Sequence, residues 1–159
     1  EIRLSLVGSE MCIRDRIESV AGVTAASSSA AILGAPLMHD TALISLSDLM
    51  TPIESIMKRV DCAGQSDFVI ALYNPKSHGR TEYLGQATDI LLKYRSPETP
   101  VGIVRQAGRK DQSKTVTTLG KLKEADVDMF CTVVIGNSRT YVKDGVMITP
   151  RGYRETKRF

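Results

Sequence analysis

The chain has 159 residues, enough for one ordinary domain or two small ones. With 42% apolar and 25% charged residues it has a folding composition, and no apolar run nears the roughly 20 residues of a membrane span. The net charge of +3 sits wholly in residues 151–159, RGYRETKRF, so it marks a basic tail and names no nucleic-acid partner.

Three cysteines, Cys12, Cys62 and Cys131, are odd in number and far apart, which excludes a disulfide scaffold and any CxxC zinc site. Isolated thiols suit a reducing compartment, and the expectation is a cytoplasmic protein. His39 and His78 lack metal-ligand spacing, so no protein metal site is expected.

The opening, EIRLSLVGSEMCIRDR, has no clean helical or strand period and no turn punctuation. LVGSEMCIRD resembles the conceptual translation of a sequencing adapter. Residues 1–16 are therefore expected to be a non-native segment outside the fold, with the natural protein entered partway through. The native part is then residues 17–159.

From there the elements follow in order. GVTAASSSAAILG predicts a short Ala-rich helix, capped by Thr24 or a nearby Ser and ended by Gly34. TALISLS, residues 41–47, predicts a strand. Thr51-Pro52-Ile53-Glu54 reads as a capping box with Pro at the first helical position. The helix it opens sets Ile53, Ile56, Met57 and Val60 on one face. FVIALY, residues 68–73, is a continuous apolar run that reads as a central strand. A second helix is expected over about residues 81–94, then strands at 101–104, 115–119 and 129–136. TYVKDGVMIT predicts a hairpin turning at Asp144-Gly145. The fold class is α/β, a mixed sheet with helices packed on it.

Small residues follow the apolar strands: YNP after residue 72, and GNS, residues 136–138, after MFCTVVI. Ligands of α/β sheets lie outside strand ends, where uncrowded loops let the backbone approach them. No GxGxxG, GxxxxGK[ST] or GxSxG occurs. His39-Asp40 is the best acid–base pair, and a loop histidine bonded to backbone is an equal reading. Tyr73 reads either as a site residue or as a core side chain with its hydroxyl satisfied. Asp126 and Asp128, in EADVDM, read as a solvated turn.

Taken in order, GVTAA, AILGAPLMHD, ISLSDLMTP, ALYNPKS, LLKYRSPETPVGIVRQAGR and VVIGNSRTYVKDGVMITPRGY resemble one family across residues 22–153. It is the precorrin-3B and cobalt-factor III carbon-17 methyltransferase branch of the tetrapyrrole methylases. Ala21 stands where that family usually has Pro before GVTAA.

The resemblance implies a two-domain enzyme holding S-adenosylmethionine between its halves, with residues 17–159 forming the linker end and the carboxy-terminal domain. It implies methylation of carbon 17 of a tetrapyrrole, precorrin-3B or its cobalt form, with ring contraction, by a homodimer when full length. This chain alone is expected to be inactive. Position by position, Thr24 and Ala25 are expected at the methionine part of the cofactor, and Tyr73 and Asn74 at the adenosine. Gly136 and Asn137 are expected to give backbone contacts near the adenine, with Gln106 and Ala107 as further candidates. His39, Asp40, Ser47 and Asp48 are expected to face the macrocycle, His39 and Asp48 as acid–base residues. The alternatives are another corrin-ring methyltransferase, a non-catalytic tetrapyrrole-binding or dimerisation module, and a generic nucleotide-binding domain, which lacks its Gly-rich motif.

Overall fold

The computed structural model of the chain describes residues 20–76 and 81–152. The expectations for residues 1–16, for His78 and for the end of the ITPRGY block lie outside the described residues.

Helix α1 (Ala25–Leu33) is followed by a two-residue strand β1 (Gly34–Ala35) and by β2 (Thr41–Ser45). Helix α2 (Ile53–Gln65) leads to β3 (Val69–Tyr73), and α3 (Tyr83–Leu91) leads to β4 (Pro100–Arg105). Strand β5 (Ser113–Thr118) runs into a 3-10 helix, Leu119–Glu124, before β6 (Cys131–Ile135). The hairpin strands β7 (Tyr141–Lys143) and β8 (Val146–Ile148) close the described chain.

The main sheet has the order β2-β3-β6-β4-β5, and β1, β8 and β7 form a smaller one. β2 and β3 pair in parallel, whereas β6 is antiparallel to both β3 and β4. The connection from Tyr73 to Val101 is therefore not one between neighbouring strands. β3 and β4 point the same way, and β6 runs between them in reverse.

Apolar residues on both sides of each inner strand build two cores. Ile70, Leu72, Val133 and Ile135 face α2 and α3 with Ile56, Val60 and Leu91. Val69, Ala71 and Val134 face the other way, with Ala26 and Leu33 of α1. Full burial of a side chain such as Leu33 contributes about 1.5–3 kcal/mol. Gly102 permits that packing, because a Cβ there would lie 2.4 Å from Leu33 Cδ1.

Local signals explain most of the boundaries. Thr24 caps α1, its Oγ1 accepting the Ser27 N–H at 3.2 Å, and Gly34 ends the helix at φ 132°. Asp144 and Gly145 both adopt positive φ, 52° and 72°, as a two-residue hairpin turn of the primed type requires. The capping box at residues 51–54 does not form. Pro52 stays extended at ψ 141°, no side chain caps α2, and the Pro52 carbonyl accepts the Ser55 and Ile56 N–H groups.

Candidate functional site

Strands β2, β3 and β4 all end on one side of the sheet, at Ser45, Tyr73 and Arg105, where β6 begins. A cleft of about 490 Å³ opens there, lined among others by Ala25, Tyr73, Asn74, Gln106, Ala107, Phe130 and Thr132. Its volume falls within the range of about 300–1,000 Å³ found for small-molecule sites.

Two strand ends turn in the same unusual way. Asn74 after β3 and Gln106 after β4 each have φ 49°, the left-handed region. Asparagine tolerates that conformation, but glutamine is uncommon in it. Such residues cost about 1–3 kcal/mol and cluster at ligand sites. Gln106 is held there by its N–H donating to the Phe130 carbonyl at 3.1 Å and by its own carbonyl accepting the Arg109 N–H at 2.9 Å. Asn74 is exposed, and its Nδ2 donates to Ser45 Oγ at 3.1 Å across the β2–β3 pair.

The start of α1 is anchored to the same place. The Tyr73 hydroxyl accepts the Ala26 N–H at 3.0 Å, so this side chain is both satisfied and at the cleft. Thr24 is exposed beside it, with Oγ1 engaged in the cap.

The turn over residues 126–130 is more than solvated surface. Arg105 donates to Asp128 at 2.7 Å and to Asp126 at 3.1 Å. The other Asp128 oxygen accepts the Phe130 N–H at 3.0 Å and the Cys131 thiol at 3.2 Å. Asp126 is a solvated partner, but Asp128 is half-buried and orders the turn. Met129 and Phe130, 53% and 55% exposed, are thereby presented along the cleft. Burial pushes the Cys131 thiol up from its usual value.

Gly136 and Asn137 are not in this cleft. Because β6 runs in reverse, Ile135 pairs with Ile70 near the start of β3, and the GNS turn emerges at the opposite end of the sheet. Gly136 has a packing reason to be glycine, since a Cβ would lie 2.5 Å from Thr140 Cβ. Its carbonyl accepts from Arg95, whose other terminal nitrogen donates to the Phe68 carbonyl. Burial lowers the Arg95 guanidinium below its usual value, with Asp67 opposing. Asn137 accepts the Arg139 N–H at 3.0 Å, closing its own turn.

His39 and Asp40 also lie at that far end, before β2, around a smaller cavity with Asp67, Asn137 and Arg139. His39 Nδ1 accepts the Asp40 N–H at 2.9 Å, so it is a loop imidazole bonded to backbone. Asp48 follows β2 and therefore sits at the cleft end, accepting from the Tyr83 hydroxyl at 2.7 Å. The length of β2 separates His39 from Asp48. Among the described residues no group of three or more His, Cys, Asp or Glu is placed to hold a metal.

The structure thus brings Ala25, Tyr73, Asn74, Gln106 and Ala107 together, with Thr24 alongside, and leaves Gly136, Asn137 and His39 elsewhere. Arg109 went unmarked in the sequence because the candidates after β4 ended at Ala107, and Met129, Phe130 and Thr132 because the expected site lay beyond the last residue of β6 and not before its first. No local residue pattern sets the direction of that strand.

A family model described as Tetrapyrrole (Corrin/Porphyrin) Methylases matches residues 5–123. The chain belongs to the tetrapyrrole methylases. Within that family it is 53% identical over 137 residues to a probable cobalt-factor III C(17)-methyltransferase of Salmonella typhimurium. That match covers 86% of this chain and 57% of the relative, so the chain spans little more than half of its length. The crystal structure of the methyltransferase CobJ superposes with a TM-score of 0.76 at 30% identity, covering 92% of this chain and 63% of that one. A uroporphyrin-III C-methyltransferase from Thermus thermophilus, complexed with S-adenosyl homocysteine, shares the fold at 19% identity and a TM-score of 0.51. It covers 85% of this chain and 58% of its own. The α/β class expected from the sequence is the fold of this tetrapyrrole methylase chain. No helix among its described residues is long and apolar enough to cross a membrane.

Proposed function

We propose that this chain is the cofactor-proximal part of an S-adenosylmethionine-dependent methyltransferase acting on carbon 17 of precorrin-3B or its cobalt form, with ring contraction. The observation that carries the reading is the 53% identity to the Salmonella protein over 86% of this chain. The cleft at the ends of β2, β3 and β4 fits a nucleoside-sized ligand in volume and chemistry. It combines an exposed aromatic ring and thioether, Phe130 and Met129, with the polar residues Asn74 and Gln106 on strand ends turned into the left-handed region.

The bound cofactor supplies an electrophilic methyl group on a sulfonium. This chain's own residues bind and orient it along one wall. Asn74 and Gln106, fixed at the ends of rigid strands, orient the ligand for an in-line displacement, an effect worth up to about 7–11 kcal/mol. Phe130 and Met129 shield one side of it from water. The proton held or moved during ring contraction is assigned in this proposal to Asp48, a reading supported by its position after β2 and by the Tyr83 hydroxyl donating to its Oδ2. His39 has no part in this account. The exposed residues along the cleft form one wall, so the chain alone is expected to bind weakly and to turn over nothing.

The test joins this chain to the amino-terminal part of the Salmonella relative and supplies cobalt-factor III, and separately precorrin-3B, with methyl-labelled S-adenosylmethionine. One labelled methyl at carbon 17 is expected. Label at another ring carbon, or none, contradicts the assignment.

A further inference from the structure

Arg109 is the one charged side chain among the described residues that line the cleft. Ala25, Ser45, Tyr73, Asn74, Gln106 and Phe130 around it carry no charge. Arg109 is exposed, and it makes no ion pair or side-chain hydrogen bond among the described residues. Its backbone is nevertheless fixed. The Arg109 N–H donates to the Gln106 carbonyl at 2.9 Å, and its carbonyl accepts the Gln112 N–H at 3.2 Å. Gln112 Oε1 accepts the Gly108 N–H at 2.8 Å, and Gly108 takes φ 75° to allow the turn. A rigid loop thus holds an uncommitted guanidinium over a cleft that has no lining carboxylate.

Charge decides what such a residue takes. A sulfonium is positive, so an arginine beside it gives no attraction to the reacting end of a methyl donor. A guanidinium with no partner matches a planar carboxylate in shape and charge. We infer that Arg109 is the carboxylate-binding residue of this cleft, an inference that rests on the methyltransferase reading above. The carboxylate belongs either to the amino-acid end of the cofactor or to an acid side chain of the macrocycle.

The test uses this chain, its R109Q and R109K variants, and three probes followed by NMR titration, which reads millimolar affinities. S-adenosylhomocysteine carries the amino-acid carboxylate, 5′-methylthioadenosine is the same nucleoside without it, and uroporphyrin III is an octacarboxylic macrocycle. R109Q is expected to weaken one carboxylate-bearing probe about tenfold or more, and 5′-methylthioadenosine not at all. R109K should recover part of the loss, and the melting temperature should not change. Loss confined to S-adenosylhomocysteine assigns the cofactor carboxylate, and loss confined to uroporphyrin III assigns the macrocycle. If R109Q binds both within twofold of the unsubstituted chain, the inference is overturned. If the unsubstituted chain binds none of the three, the cleft is not a ligand site of this chain and the inference fails, whereas the methyltransferase reading stands or falls with the labelling experiment above.

Discussion

The hydroxyl of Tyr73, at the end of β3, accepts the backbone N–H of Ala26 in the first turn of α1 at 3.0 Å. One hydrogen bond joins two segments 47 residues apart and sets the start of the helix against the cleft. Tyr73→Phe removes the acceptor and keeps the ring. It should lower stability by about 0.5–1.5 kcal/mol in urea unfolding. Weaker S-adenosylhomocysteine binding should accompany it, because Ala25 moves with the helix.

Gly136→Ala separates packing from binding. The new Cβ collides with Thr140, and overpacking of this kind costs about 1–3 kcal/mol. Stability should fall while the folded protein binds S-adenosylhomocysteine unchanged, since the residue lies at the far end of the sheet. A loss of affinity without a loss of stability would return Gly136 to the site.

Arg95→Met tests the brace at that end. The buried guanidinium, 7% exposed, satisfies the Phe68 and Gly136 carbonyls, which the variant leaves unpaired. A buried polar group without a partner costs about 1–3 kcal/mol, so for the two carbonyls a loss of about 2–6 kcal/mol is expected by chemical denaturation.

How much of this was legible in the sequence depended on how local each signal was. The Asp144-Gly145 turn, the Thr24 cap and the FVIALY strand rest on residues a few positions apart, and each appears where expected. The direction of β6 depends on which strand it meets, and that one fact moved Gly136 and Asn137 away from Tyr73 and Asn74. EADVDM reads as solvent-facing because Arg105, which orders Asp128, lies 23 residues earlier. The capping box failed because Pro52 remained extended and its carbonyl took the first bonds of α2.

Cys131 gives the pH prediction. Burial raises its thiol above the unfolded value, so the folded state holds that proton more tightly than the unfolded chain. Its contribution to stability is complete below the unfolded pKa, about 8.5, and is lost as pH rises through the higher folded value. Urea midpoints should therefore decline above about pH 8.5, and less steeply in Cys131→Ala.

The placement of the cofactor is tested most directly by a residue-resolved NMR titration of this chain with S-adenosylhomocysteine. The account predicts saturable shifts at Ala25, Tyr73, Asn74, Gln106, Phe130 and Thr132, with His39, Gly136 and Asn137 unmoved. Shifts centred on Gly136 and Asn137, or none at the ends of β3 and β4, would contradict it.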